Sequence, residues 1–174
     1  MGLAIVLSLI SCVSTPPPPS RNRDTTAVIE SSNKAKMLSI YDALNAKKWS
    51  VLDSLVSPDF IDHNPASGQR PGRDGLRASL QSFAAAFPDL HMTPNRSIAE
   101  NDLVVVQFEM TGTNTGAGAG MKATGKQMNV SGFDMMRFKD GKAIEHWGLA
   151  DDVKLMRQLG MMQEPQQLQP AKHK

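Results

Sequence analysis

The chain has 174 residues, 40% of them hydrophobic and 21% charged, enough for one globular core and too few for a second. A formal net charge of +2 with scattered basic residues excludes a phosphate-tracking stripe and argues against nucleic acid as a partner. One cysteine excludes an internal disulfide and any cysteine-based metal cluster.

That cysteine, Cys12, follows the apolar run "GLAIVLSLIS". At about ten residues the run is too short to span a bilayer as a mature helix and fits the h-region of an export signal. "LISC", Leu9 to Cys12, resembles the lipobox of bacterial lipoproteins, in which the cysteine is acylated and becomes the new N-terminus. The alternative is a buried N-terminal strand with an incidental cysteine. Against it stands "VSTPPPPSRNRD", whose four prolines favour an extended spacer that lifts a domain off its anchor. The expected organisation is a signal peptide over 1–12, a tether over 13–25, one domain over 26–162 and a disordered tail over 163–174. Such a protein is exported to the periplasmic or extracellular face of the cell envelope and touches the membrane only through its lipid.

Helical patterning runs from Thr26 to Lys48, with Val28, Met37, Ile40, Tyr41 and Leu44 near a 3.6-residue period. "SVLDSLVSP" predicts a short second helix, with Ser50 and Asp53 placed as an acidic capping box and Pro58 as its stop. "DFIDHN" is strand-like and runs into the loop "PASGQRPGRDG". A third helix from Asp74 sets Leu76, Leu80, Phe83 and Phe87 on one stripe before Pro88. The stripe must meet a core, and Phe83 and Phe87 are candidates to line any pocket there.

Strand texture then takes over: "LHMTPNRSIA", a turn at "END", "LVVVQFEMTGT", and, after glycines, "QMNVSGFDMMRF" joined through "KDG" to "KAIEHWGLA". A last helix, Val153 to Leu159, closes at Gly160 in the C′ position. Helices followed by consecutive antiparallel strands predict an α+β fold with the helices on one face of a curved antiparallel sheet, enclosing a cavity.

The run "GTNTGAGAGMKATGK" lacks the strand-to-helix context of a dinucleotide loop and the Gly-Lys-Ser/Thr of a P-loop, so it reads as a mobile loop at the cavity mouth. His63, His91 and His146 lie on separate segments without metal-ligand spacing, and no metal is expected. His63 is a candidate pocket hydrogen-bonding residue and His146 an exposed strand residue. Trp147 and Asp151 share a face of the last strand if it is unbulged, and a ring beside a carboxylate would desolvate it and raise its pKa. Glu145 shares that parity, which puts a second carboxylate in the cavity or implies a bulge. Asp152 faces the other way and is the better N-cap; Asp151 is either an acid/base or a second capping residue.

The ordered set "DHNP", "GRDGLRASLQSFAAAFPDL", "GTNTG", "ATGKQMNVSGFDMMRFKDGKAIEHW" and "DDVKLMRQLG" resembles the SnoaL-like polyketide cyclases (ester cyclases) of the NTF2-like superfamily, from Ala35 to Met161. The resemblance implies a cone-shaped fold with a deep apolar pocket, often a homodimer, closing rings by intramolecular aldol chemistry on a small hydrophobic carbonyl compound without metal or cofactor. It also implies Asp151 as general acid/base, at the family's distances from Trp147 and Gln158, with Asp152 as the cap and His63 and Trp147 lining the pocket. Asn114 stands where many relatives have His; it can donate and accept but not titrate, so a proton relay through it is not implied. Superfolds host many functions, and a non-catalytic ligand-binding or assembly module of the envelope is the alternative.

Overall fold

The computed structural model describes residues 23–162, so Cys12, the four prolines and residues 163–174 lie outside the described part. Helix α1 spans Arg23–Asn45 and α2 Leu52–Leu55, entered through a 3-10 turn at Trp49–Val51; β1 is Val56–Asp62 and α3 Gly72–Ala86. Strands β2 His91–Glu100, β3 Leu103–Thr113, β4 Gln127–Lys139 and β5 Lys142–Ala150 follow, then α4 Asp152–Gln158.

The sheet is curved and open, in the order β1-β5-β4-β3-β2. Four strands form the expected antiparallel meander, but β1 pairs parallel to β5, so the sheet is mixed. The cause is connectivity: α3 carries the chain from β1 at one edge to β2 at the other, leaving β1 beside the last strand. β2 is an edge strand, which is why Pro94 is tolerated, next to a break in register between Pro94 and Arg96. The expected capping box is absent; neither the 3-10 turn nor α2 has a side-chain cap, and Asp53 instead pairs with Arg73 and Arg77.

Helix ends follow local chemistry. α1 stops where Lys47 takes a positive φ of 54°, with Lys48 N–H donating to Ala43 O and Lys47 N–H to Leu44 O, a Schellman motif without glycine. α4 ends in the same motif at Gly160, as the sequence predicts. "KDG" forms a tight turn with Asp140 and Gly141 both at positive φ.

Packing follows strand parity. Val104, Val106, Phe108 and Met110 of β3 and Met128, Val130, Met136 and Phe138 of β4 are buried against Met37, Ile40 and Tyr41 of α1 and the α3 stripe. Among the described residues no helix covers the opposite sheet face, and Ile98, Phe133 and Leu149 stand exposed on it.

Candidate active site

The covered face of β4 reads Met128, Val130, Gly132, Asp134, Met136, Phe138, which places one carboxylate in a row of core positions. Its neighbour β5 carries His146, and β5 lies between β4 and β1, so the imidazole has a strand on either side. His146 Nε2 lies 3.1 Å from Asp134 Oδ1, and its Nδ1 3.1 Å from Oδ1 of Asp62, the residue paired with it on β1. Tyr41 of α1 donates its hydroxyl to Asp134 Oδ2 at 2.5 Å. Asp62 also accepts from Gln69 Nε2 at 2.8 Å and from Asn64 N–H at 3.1 Å.

Gly148 makes this possible. It pairs with Asp134 across β4 and β5, and a Cβ there would stand 2.6 Å from His146 Cε1 and 3.1 Å from Asp134 Oδ1. Only a residue without a side chain lets the ring lean diagonally across to Asp134.

The electrostatics follow. Burial alone would lower the His146 pKa, but hydrogen bonds to Asp134 and Asp62 and their charges outweigh it and push it up to about 9. His146 is therefore an imidazolium at neutral pH, donating from both nitrogens. Burial pushes Asp62 up, yet hydrogen bonds from His146 and Gln69, the imidazolium charge and the Asn64 N–H together hold it below the usual carboxylate range. Burial and the Asp134 charge push the Tyr41 hydroxyl far up, so it remains a donor.

These groups border a cavity of about 290 Å³ between the sheet and helices α1 and α3. Leu44, Leu80, Phe83, Met92 and Met110 give it an apolar wall, broken at one end by Tyr41, Asp134 and His146. The arrangement offers one ion-paired carboxylate to an apolar guest.

The sequence expectations fall differently in space. Phe83 lines the cavity; Phe87 does not, being fully buried beside Phe83 with ring centroids 4.9 Å apart and packed on Gly112. Trp147 and Asp151 share a side, but it is the outer one. A bulge at Ile144, between the pairs Phe138–Ala143 and Arg137–Glu145, resets the alternation of β5, so His146 faces inward while Glu145 and Trp147 face outward. Asp151 is exposed and caps α4, its Oδ1 accepting from Lys154 N–H at 2.9 Å, whereas Asp152 reaches the cavity wall. The expected division of labour between the two aspartates is thus reversed in place.

His63 also lies outside. Its ring stacks on Trp147 at 4.4 Å between centroids, and Nε2 lies 2.9 Å from Glu145 Oε2, while the other carboxylate oxygen, Oε1, accepts from Arg137 Nη1 at 3.0 Å. The His63 hydrogen bond, with the Arg137 charge, holds Glu145 below the usual carboxylate range. His146, expected to be exposed, is instead the cavity histidine.

Asn114 is fully buried and is not among the residues lining the apolar cavity. Its Nδ2 donates to Ala86 O at 3.1 Å and Gly116 O at 3.2 Å, and its Oδ1 accepts from the N–H and Oγ1 of Thr124, both at 2.9 Å. It fastens the glycine-rich segment to the end of α3, and that segment supplies Ala119 to the cavity rim, where Ala119 N–H donates to Ser82 Oγ at 2.8 Å. Asn114→Ala removes four side-chain hydrogen bonds, although Ala86 O keeps the Gly116 N–H and Thr124 N–H keeps the backbone oxygen of residue 114, and should lower unfolding free energy by about 1–3 kcal/mol in urea titration. A loss below about 0.5 kcal/mol would refute the fastening role.

Among the described residues no group of three His, Cys, Asp or Glu side chains is placed to hold a metal ion, and no helix is long and apolar enough to cross a membrane.

A bent sheet folded over helices, with an apolar cavity ending in a carboxylate, is the NTF2-like architecture. Residues 35–159 match the family model of the SnoaL-like polyketide cyclases, and the chain belongs to that family. Among solved structures it is similar to TsrD from Streptomyces laurentii, with 28% identity over 76% of this chain and 97% of that one and a TM-score of 0.70. IdmH from Streptomyces antibioticus, a candidate polyketide cyclase, is 29% identical over 74% and 98% of the two chains, with a TM-score of 0.65. AclR from Streptomyces galilaeus, a candidate hydroxylase, is 26% identical over 77% and 99%, with a TM-score of 0.67. No curated protein matches the chain in sequence.

Proposed function

We propose that the cavity binds a small hydrophobic carbonyl compound and that Asp134, not Asp151, moves a proton on it without metal or cofactor, in an aldol ring closure or an isomerisation. The observation that carries this reading is the single ion-paired carboxylate at the end of an apolar hollow. Asp134 takes a proton from the carbon next to an ester carbonyl; the enolate carbon bonds to a second carbonyl carbon of the same molecule; the protonated acid returns its proton to the resulting alkoxide. A carboxylate is a weak base, so the carbon acid must be activated, as a methylene between two carbonyls is. The test is exchange of the α-protons of an aryl β-keto ester in deuterium oxide, followed by NMR. Exchange without Asp134 dependence would sink the reading.

A non-catalytic binder is the second reading, because both Asp134 oxygens are already engaged by Tyr41 and His146. It predicts ligand binding with no exchange above buffer.

Two further parts of the proposal concern assembly and location. The uncovered sheet face carries a continuous band, Ile98, Val105, Met135 and Trp147 in cross-strand register, flanked by Phe133 and Leu149, which suits a second copy of this chain. A Leu149→Lys, Ile98→Lys double variant should elute as a monomer in size-exclusion chromatography with light scattering, the parent as a dimer; a monomeric parent would end that proposal. The lipobox-like tetrapeptide supports export and acylation at Cys12. Radiolabelled palmitate should enter the parent and not Cys12→Ser, and equal labelling would contradict the anchor.

A further inference from the structure

The apolar cavity adjoins a second hollow of about 230 Å³ between the loop 63–71 and the middle of α3. The two share Ala66, Ser79 and Ala119, which form the rim between them. Polarity changes at that rim: outside it, Ser67, Gln69, Arg70 and Ser82 line the space.

Three arginines surround the start of α3. Arg73 and Arg77 both bind Asp53, and Arg77 also approaches Asp74 at 3.5 Å. Arg70 has no carboxylate or hydrogen-bonding partner for its guanidinium among the described residues. Its backbone is nonetheless fixed. A Cβ on Gly75 would overlap the Arg70 carbonyl, so loop and helix meet backbone to backbone, and the preceding Gln69 is tied to Asp62. An exposed cation on an anchored stretch of backbone thus lines the polar hollow that adjoins the cavity.

The inner end has the opposite sign. Asp134 and Asp62 flank one imidazolium, leaving a net charge of minus one, and Asp152 borders the same wall. A carboxylate pushed inward would lose its hydration among Leu80, Phe83 and Met110 and meet this negative cluster.

We propose that the ligand is an amphipathic acid, with an uncharged apolar body seated in the cavity and a carboxylate held in the outer hollow by Arg70. This rests on the reading of the cavity as the ligand site, and adds the direction of entry and the chemical class of the exposed end.

Titration calorimetry of the full-length chain at neutral pH with two probes, octanoate and methyl octanoate, tests it. Octanoate should bind roughly fivefold more tightly than the ester, the modest preference expected of a solvent-exposed ion pair. Arg70→Gln should bring octanoate down to the ester's affinity and leave the ester unchanged. Arg157→Gln, which removes an exposed positive charge on α4, should leave both unchanged. Leu80→Trp, which fills the cavity, should weaken both probes. The proposal is overturned if the ester binds as well as the acid, if Arg70→Gln weakens both equally, if Arg157→Gln acts like Arg70→Gln, or if octanoate still binds the filled variant. Binding is read without turnover, so a failure of the proton-exchange assay leaves this result standing, and the reverse also holds.

Discussion

Asp134→Asn should slow α-proton exchange of the β-keto ester by a factor of about 10²–10⁴, the range that a positioned general base supplies, while Asp151→Asn leaves the rate within about twofold of the parent. Asparagine has nearly the shape of aspartate and can still bond to Tyr41 and His146, but its amide oxygen does not take a proton from carbon. Asp151 lies outside the cavity and its carboxylate serves the Lys154 N–H, so its loss is a matter of stability alone. Since asparagine is itself a good N-cap, Asp151→Asn should cost only a few tenths of a kcal/mol, and Asp151→Ala about 1 kcal/mol. The two variants therefore separate two accounts of one fold. If Asp151→Asn abolished exchange and Asp134→Asn did not, the base would have to reach the substrate from the α4 cap, and the inner cluster would be structural.

Much of this architecture is legible in the residues. The "KDG" turn, the α3 stripe from Leu76 to Phe83 and Gly160 as a C′ residue each follow from local chemistry that tertiary contacts do not override. The parallel pairing of β1 is not legible, because it depends on where α3 sets the chain down and not on any residue of β1. The site was half visible. Asp134 breaks an otherwise apolar alternation, Met128 to Phe138, at a position whose parity points to the core, and a carboxylate in such a row demands a buried partner. The partner search would then lead to His146, the only titratable cation on the neighbouring strand with inward parity. What hides it is the bulge at Ile144, one extra residue that shifts His146 inward and turns Trp147, the more conspicuous residue, outward. The shared parity of Glu145 and Trp147 leaves room for a bulge, but a pattern of period two does not say where the extra residue sits. The exchange of roles between Asp151 and Asp152 has the same origin, since parity counted from Trp147 points Asp151 inward only if Trp147 itself faces the cavity.

The same cluster makes stability depend on pH in the alkaline direction. Folded His146 titrates near 9, against an ordinary value of 6.5. Because its folded pKa is the higher one, the imidazolium's stabilisation is fully present below about 6.5 and is lost as pH rises through about 9. A displacement of that size corresponds to something on the order of 3 kcal/mol. Asp62 behaves oppositely: its folded pKa lies below the unfolded value, so its contribution is present above the unfolded pKa and fades only as pH falls through the folded one. The groups facing His146 are Asp62 from β1, Asp134 from β4 and, beyond Asp134, the Tyr41 hydroxyl from α1, which stays protonated throughout. Comparing the parent with His146→Gln in urea titrations removes the background titration of the lysines, which both proteins share. The stability gap between them should be widest near pH 6 and should narrow by roughly 3 kcal/mol by pH 10. A gap that stays constant across that range would mean that His146 is neutral between its two carboxylates at neutral pH, in which case the inner end of the cavity carries two negative charges and no acidic or neutral carbonyl ligand would be expected to dwell beside it.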